Sequence, residues 1–443
     1  MDKDRYFFIN FIMNNNFIRS VFILLFGGFI TKLLGLVIKI ILARYLPSNT
    51  FGLYMLILPT FLFCISFSQF GLPIAISKLV VEEKRRSKKI FISILPVFII
   101  VHFIMFIIIF FSSKFISTSL LHSPDTYLSI KSISFVILFT SISSFCRSYF
   151  FGKGKMLPHV LSNICEDFIR LLLYLFILPK LKFLSSKYLL LFLILSNIIS
   201  EAISTFVLLL FLPKKVHFSR KDIFIDFSIL KDCLDISIPN ITSSFIGNLT
   251  YFLEPIILMH FLLLSGYTSS FITSEYGVLS GYVLPLLLLP SFFTSAISQA
   301  IFPKLTKCCR NYQFHEFKKK FKIAFLFSLL LVLPIFILFE FFPSFFLFFI
   351  YHTNKGINYL KILAPVFIFL YLNSLFSISL ESLGLSKYNF FSTFISSLLR
   401  IVFLIGFSFF RIGIYSYILS LIVSILSNFL FSSYILFKYL KNI

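Results

Sequence analysis

Apolar residues occur along the chain in twelve long stretches, which are separated by short polar or basic segments. A helix needs about 20 mostly apolar residues to cross the hydrocarbon core of a bilayer. Strands of a membrane barrel have about ten residues with strict alternation, and these stretches do not follow that pattern. The sequence therefore predicts an all-α, polytopic membrane protein of about twelve spans. Numbered 1 to 12, the predicted spans are 17–43, 51–77, 90–111, 128–150, 157–178, 187–212, 234–264, 276–302, 322–350, 357–383, 388–410 and 412–437.

The segments between the spans differ in their content of lysine and arginine. Residues 78–89 contain six of them and residues 304–322 contain seven, whereas residues 265–275 contain none. Basic loops remain on the cytoplasmic side of a membrane. The alternation predicts a multi-pass protein of the cell membrane with both termini in the cytoplasm.

The two halves of the chain share landmarks at a nearly constant separation. Pro59 and Pro285, within spans 2 and 8, are 226 positions apart, and so are Lys78 and Lys304, which end these spans. Because six spans return the chain to the same side of the membrane, such a repeat is parallel. Paired halves of this kind often move about a site that lies between them.

A Gly-x-x-Lys turn gives a third landmark. It precedes span 5 at residues 152–155 and span 11 at residues 384–387, 232 positions apart. We therefore predict two six-helix lobes, residues 1–215 and residues 216–443.

Composition restricts the function further. Only 13% of the residues are charged, which is too few to cover the surface of a soluble domain. The formal charge of +23 lies mostly in short segments between spans, so we expect no nucleic-acid partner. The sequence has no Walker lysine loop, no readable Ser-His-Asp arrangement and no metal-ligand spacing. We predict a protein that is not an enzyme and needs no cofactor or metal.

Two lysines on span 1 are the first candidate site residues. Lys32 lies near the middle of the span, and Lys39 follows two helical turns later, so they share one face about 10 Å apart. A lysine at mid-membrane costs about 2.5–3.5 kcal/mol on insertion scales. Snorkelling to the interface can explain Lys39 but explains Lys32 poorly. We predict that both are cations of a substrate cavity.

Other ionisable residues lie within later spans. Glu166 and Arg170 are four residues apart on span 5 and can neutralise one another. Arg400 on span 11 has no acid nearby in the sequence and is a third candidate cavity cation. Glu254 on span 7 can pair with a cavity lysine or bind a cation, and Glu201 on span 6 is equally ambiguous. We assign Glu254, Glu166 and Arg170 to charge balance.

Prolines within the spans are candidate hinges. Pro59 and Pro285 occupy matched spans, and Pro255 follows Glu254 directly. A proline removes a backbone hydrogen bond and permits a kink. These residues fit bending helices beside a transport path, although they fit simple packing equally well.

Several segments resemble one protein family. The segments are GGFITKLLGLVIKIILARYLPSNTFGLYMLILPTF (27–61), FGLPIAISKLV (70–80), YFLEPIIL (251–258), YGVLSGYVLPLLLLPSFFTSAISQAIFPKL (276–305) and GLSK (384–387). Together they are similar to the stage V sporulation protein B family. That family belongs to the polysaccharide-flippase branch of the multidrug, oligosaccharidyl-lipid and polysaccharide exporter superfamily. The sequence departs from its pattern in having Leu46-Pro47 instead of Leu-Gly, and no two further apolar segments after span 12.

The resemblance implies two lobes around a cavity that opens alternately to either side. It also implies a flippase for a lipid-linked oligosaccharide, a peptidoglycan precursor for the spore cortex, whose diphosphate meets the cavity cations. Expected partners are this lipid-linked saccharide, membrane lipids and, as a further class, cell-wall synthesis enzymes.

Several alternatives remain open at this stage. They are a flippase for another cell-surface polysaccharide, a cation-coupled multidrug exporter, a membrane glycosyltransferase and a non-transporting scaffold. Cations outnumber acids among the candidates, which disfavours the drug exporter. The short outer loops offer few catalytic carboxylates, which disfavours the transferase.

Overall fold

The computed structural model describes residues 15–69, 71–82, 87–181, 183–212 and 227–441. Within these ranges the chain forms α-helices joined by short turns and contains no β-strand. In chain order, the α-helices of the described residues are α1 (Asn15–Tyr45), α2 (Ser48–Gln69), α3 (Leu72–Glu82), α4 (Ser87–Phe115), α5 (Tyr127–Gly152), α6 (Met156–Phe176), α7 (Ser186–Leu210), α8 (Phe227–Leu264), α9 (Ser269–Val278), α10 (Leu284–Leu288), α11 (Ser291–Arg310), α12 (Phe314–Phe341), α13 (Pro343–Tyr351), α14 (Ile357–Ser382), α15 (Ser386–Ser408) and α16 (Tyr415–Lys441).

Eleven helical segments among the described residues are long and apolar enough to cross a membrane. The remaining predicted span, 157–178, is helix α6, which has 21 residues but carries Glu166, Asp167 and Arg170. These three charges explain why α6 differs from the other spans in hydropathy. The predicted fold class, an all-α polytopic membrane protein, is confirmed.

Three predicted spans are interrupted in the structure. In span 2, α2 ends at Gln69 and α3 begins at Leu72, directly after Gly71, a glycine with φ +63°. Span 8 consists of α9, a π-helical turn at Leu279–Val283, α10 and the first part of α11. Span 9 ends its first helix at Phe341, and α13 begins at Pro343. The apolar stretch continues through each interruption, so hydropathy alone predicted one continuous helix in each case.

The chain divides into two compact units. The first comprises the described parts of Met1–Leu46, Thr60–Ser119 and Ser123–Phe245. The second comprises Pro47–Pro59, Leu120–His122 and the described part of Ile246–Ile443. The predicted boundary between residues 215 and 216 lies outside the described residues, and the two predicted lobes stay a prediction.

Each unit has its own apolar core. In the first unit, buried residues of α3, α4 and α5 pack together, among them Ile76, Ile94 and Phe145. Helices α3 and α5 approach closely at Gly152, where an added Cβ would lie 2.8 Å from the Ser77 carbonyl oxygen. In the second unit, the core joins α11, α12, α14 and α16.

Helices α2 and α9 cross within the second unit at two glycines. A Cβ added to Gly277 would lie 2.6 Å from the Cα of Gly52, and one added to Gly52 would lie 2.2 Å from the Thr273 carbonyl oxygen. The Phe51 and Tyr282 rings stack beside the crossing, with their centroids 5.1 Å apart. The crossing therefore has no space for any side chain at either glycine.

The two Gly-x-x-Lys turns have the same backbone hydrogen bonds. The Gly154 and Gly384 amides donate to the carbonyls of Phe151 and Glu381, and the Lys155 and Leu385 amides donate to those of Phe150 and Leu380. Both glycines have positive φ, +69° and +75°, as this type of helix ending requires. The structurally equivalent glycines are therefore 154 and 384, and the sequence match of 152 with 384 was wrong by two positions.

Candidate functional site

Lys32 and Lys39 lie on an open stripe of α1. Gly28, Lys32, Gly35 and Lys39 follow one another at intervals of four, three and four residues, so they share one face of the helix. A Cβ added to Gly28 or Gly35 would meet no described atom within 4 Å. Lys32 is exposed, and Lys39 is half-buried. We call these four residues the lysine stripe.

A third glycine on α1 has a different role. A Cβ added to Gly27 would lie 2.1 Å from Cγ1 of Val160, so Gly27 allows α1 to pack on α6. The structure shows such packing at Gly27 and open space at Gly28 and Gly35.

A buried ion pair joins α8 to α15 in the second unit. Glu254 is fully buried, and its Oε2 atom accepts hydrogen bonds from Arg400 Nη2 and from the Tyr417 hydroxyl, each at 2.7 Å. The Arg400 guanidinium also lies over the Tyr417 ring, 5.5 Å from its centroid. Glu254 thus has an arginine partner, where the sequence left a cavity lysine or a cation open, and Arg400 has an acid 146 positions away in the chain.

A cavity of about 260 Å³ adjoins this pair within the second unit. Arg400 and Tyr417 form part of its wall, together with Asn373 and Asn428. Among the described residues, Arg400 Nε and Asn373 Oδ1 are buried without a hydrogen-bond partner. Buried polar atoms usually have a protein or water partner, so this cavity suits ordered water or a polar ligand.

A second charged network joins α5, α6 and α7 in the first unit. The predicted pair of Glu166 and Arg170 is present, with 2.6 Å between Oε1 and Nη2. Arg147 Nη2 lies 2.9 Å from the other Glu166 oxygen and 3.5 Å from Glu201 Oε2. Asp167 completes the cluster through Arg170 at 3.4 Å. Glu201, ambiguous in the sequence, is thus a member of this network.

Sequence reasoning missed Arg147 as a member of this network because it lies close to the basic Gly-x-x-Lys turn at residues 152–155. Helix α5 continues to Gly152, so Arg147 lies more than one turn inside it. A polar stripe was the available signal: Ser143 and Ser144 precede Arg147 by one helical turn. The Ser143 hydroxyl donates to Glu201 Oε1 at 2.6 Å.

The three candidate hinge prolines differ in the backbone conformation around them. Helix α2 runs through Pro59, and α8 runs through Pro255, without an interruption. Pro285 lies at the start of α10, directly after the π-helical turn. Wide turns of this type often mark functional sites in helices. Of the three, Pro285 therefore has the backbone setting that best fits a hinge.

The candidate cations lie in two different settings. Arg147, Arg170 and Arg400 contact carboxylates of their own unit at 2.6–2.9 Å. Lys32 and Lys39 lie on a face with open space beside its glycines. No group of three or more His, Cys, Asp and Glu side chains suited to a metal occurs among the described residues.

Comparisons with known proteins agree with this fold. The model of the family described as "Polysaccharide biosynthesis protein" matches residues 17–309. The chain is 27% identical to stage V sporulation protein B of Bacillus subtilis (strain 168) over 397 residues, which are 87% of this chain and 76% of that protein. It is 28% identical to sporulation protein YkvU of the same organism, over 80% of each chain.

Solved structures share the fold at low identity. An inward-facing multidrug resistance MATE family transporter superposes with a TM-score of 0.72 at 14% identity, covering 93% of this chain and 96% of that one. The lipid II flippase MurJ, in an inward closed conformation, superposes with a TM-score of 0.70 at 17% identity, covering 92% and 86%.

The fold and the family define the class: a multi-pass membrane protein with the fold that solved MATE transporters and the flippase MurJ share. The chain belongs to the polysaccharide biosynthesis protein family, since that family's model matches well over half of it. The resemblance found in the sequence is confirmed.

Proposed function

We propose that this protein moves a lipid-linked oligosaccharide, a peptidoglycan precursor for the spore cortex, from the cytoplasmic to the outer leaflet of the cell membrane by alternating access. Two similar proteins are named for sporulation, and a protein of the same fold is a lipid II flippase. The partners in this proposal are the lipid-linked saccharide, the surrounding lipids and, at the membrane surface, cell-wall synthesis enzymes.

The lysine stripe is the observation that carries the proposal. Ammonium groups on one helical face match the two negative phosphates of a lipid diphosphate, and the glycines leave room for that group beside the helix. In this proposal Lys32 and Lys39 bind the diphosphate. Arg400 borders a cavity but is already paired with Glu254, so it has the smaller share of the binding.

The charge of the substrate gives a driving force. Moving one negative charge outward across an inside-negative membrane is favourable by about 2.3 kcal/mol per 100 mV. A diphosphate therefore moves outward downhill without ATP, provided that the charge of the protein itself does not move. In this proposal, charge balance is the role of Glu166, Arg170 and Glu254, which neutralise charges that stay in the membrane.

The direct test is transport of lipid II by the purified full chain in vesicles. Fluorescent lipid II is incorporated, and the accessibility of its head group to an external reductant is followed with time. We expect the protein to increase the accessible fraction beyond that of empty vesicles. No increase would refute the substrate assignment, and drug resistance conferred on a pump-deficient host would favour a multidrug exporter.

Lys32→Ala tests the lysine stripe. We expect the rate of lipid II movement to fall by about tenfold or more, because a hydrogen bond to a charged group is worth about 1.5–3 kcal/mol. Lys39→Ala should have a similar effect. The matched control is Lys361→Ala, an exposed lysine of α14 that lies off the stripe. Full activity of Lys32→Ala would remove this lysine from the mechanism.

The basic segments support a topology with both termini in the cytoplasm. Residues 78–89 and 304–322 should then face the cytoplasm, and residues 265–275 should face outward. Reporter fusions after residue 443 and within 265–275 would check this. We expect a cytoplasmic fluorescent protein to be bright at the first site and dark at the second. The opposite result would invert the proposed orientation.

A further inference from the structure

The first unit contains a cavity of about 380 Å³ that the proposed diphosphate site does not include. It lies among the end of α2, α3, the last turns of α5 and the start of α6. The close approach at Gly152 holds α3 against α5 and so fixes two of its walls. The residues that matter here are Gln69, Ser77, Ser144, Arg147, Phe151 and His159.

The charges at this cavity disfavour an ionic ligand. Arg147 is part of the wall, and behind it lie Glu166 at 2.9 Å and Glu201 at 3.5 Å, neither of which lines the cavity. A cation entering the cavity would first meet the guanidinium. An anion would meet a guanidinium whose charge is already neutralised by two carboxylates. An uncharged ligand avoids both penalties.

The polar atoms of the wall suit hydroxyl groups. Arg147 Nε and His159 Nδ1 are buried and have no hydrogen-bond partner among the described residues. The Ser77 hydroxyl donates to the Pro73 and Ser148 carbonyls, and the Ser144 hydroxyl donates to the Thr140 carbonyl. The two serine oxygens can therefore still accept a hydrogen bond, and the Arg147 Nε–H group can still donate one. A hydroxyl group both donates and accepts, so it can use both kinds of atom.

The wall also has an apolar face. Phe151 is 46% exposed, and Ile74 is 54% exposed at the same cavity. A sugar ring combines hydroxyl groups on its rim with an apolar face of C–H groups. Small-molecule sites commonly combine apolar and aromatic walls with a few placed polar groups, in cavities of about 300–1,000 Å³.

We propose that this cavity is a saccharide site, which binds an uncharged sugar of the lipid-linked substrate apart from its diphosphate. The inference rests on the proposed function for the identity of the substrate, and on the cavity for the place where the sugar binds. It adds recognition of the glycan to a transporter whose lysine stripe recognises the phosphates.

The absence of tryptophan from the sequence gives a direct test. Phe151→Trp places a single tryptophan at the cavity, and Phe176→Trp places one at an exposed position at the other end of α6. The probes are the uncharged disaccharide N,N′-diacetylchitobiose and inorganic diphosphate. We expect the disaccharide to shift the emission of Phe151→Trp saturably and to leave Phe176→Trp unchanged. No saturable shift, or a shift with diphosphate alone, would overturn the proposal.

Gln69→Leu, combined with Phe151→Trp, tests a single polar group of the wall. Loss of one neutral hydrogen bond should raise the disaccharide concentration at half-saturation by about three- to tenfold. Gln313→Leu is the matched control, since Gln313 is exposed and lies in the second unit. An unchanged half-saturation in Gln69→Leu would remove this side chain from the site and contradict the proposed wall.

Transport assays separate this inference from the proposed function. Vesicles receive either a lipid-linked disaccharide or undecaprenyl diphosphate without a sugar. Gln69→Leu should slow the first by about three- to tenfold and leave the second unchanged. Equal slowing of both would overturn the saccharide site while leaving the flippase function intact. If the unmodified protein moves neither lipid, the proposed function fails, whereas the tryptophan titration still decides whether the cavity binds a sugar.

Discussion

Replacing Arg400 by leucine is expected to lower the free energy of unfolding by about 3–5 kcal/mol, because the Glu254 carboxylate would remain buried without a cation. Glu254 is fully buried, and Arg400 Nη2 lies 2.7 Å from its Oε2 atom. The Tyr417 hydroxyl would remain as a donor at 2.7 Å, but one neutral donor does not compensate a buried charge. The loss should appear as a lower thermal midpoint of the purified protein in detergent.

The reciprocal variant and the double variant test whether Glu254 and Arg400 stabilise one another. Glu254→Leu should lower the free energy of unfolding by less than Arg400→Leu does. The reason is that 19% of the Arg400 side chain is exposed and the side chain borders a cavity that can admit water. Leucine at both positions should recover most of the loss, since an apolar pair often replaces a buried ion pair at little cost. Lys361→Leu, at an exposed cation of α14, should change stability by less than about 0.5 kcal/mol. If the losses of the single variants simply add in the double variant, the two side chains do not stabilise one another.

Replacing Gly277 by valine is expected to have the second large effect, a loss of about 1–3 kcal/mol or more from overpacking. The first carbon of any side chain at this position would lie 2.6 Å from the Cα of Gly52. The nearest atom belongs to the backbone, which cannot rotate away as a flexible side chain can. Helices α2 and α9 would have to separate, and the stacked Phe51 and Tyr282 rings beside them would have to move.

Gly406 provides the matched control for this substitution. It lies within α15, and a Cβ added there would meet no described atom within 4 Å. Gly406→Ala should be neutral or stabilising by about 0.5–1 kcal/mol, because alanine favours a helix more than glycine does. The thermal midpoint in detergent measures both variants. A Gly277→Val protein as stable as the unmodified chain would show that α2 and α9 do not cross closely at these glycines.

Under the proposed function, the two charged networks affect how the charge of the substrate is recognised. Each arginine of the networks is held by carboxylates of its own unit, so its field is largely neutralised before any substrate arrives. The lysine stripe lies on a different face, with open space beside Gly28 and Gly35. Under the proposed function, an anionic substrate binds at the lysine stripe, and the arginines of the networks keep the carboxylate partners that they already have.

Local patterns in the chain determined the class of protein and part of its charge pairing. An apolar stretch long enough to span the membrane forms a helix there, because a helix pairs its own backbone N–H and C=O groups and unpaired groups are too costly in hydrocarbon. The spacing of Glu166 and Arg170 placed both on one helical face, and the structure contains their ion pair. The same reasoning gave the shared face of Lys32 and Lys39. These features follow from helical geometry within one segment.

The tertiary structure alone decided the partners that come from different helices. Arg400 meets Glu254 across 146 positions, and Arg147 meets Glu166 and Glu201 from two further helices. The structure also showed that Gly154, not Gly152, is the equivalent of Gly384, because only backbone conformation separates a glycine needed for positive φ from one needed for packing. Hydropathy and spacing fix which residues enter the membrane and share a helix face, whereas the packing of one helix on another decides which charges meet and where space is left for a ligand.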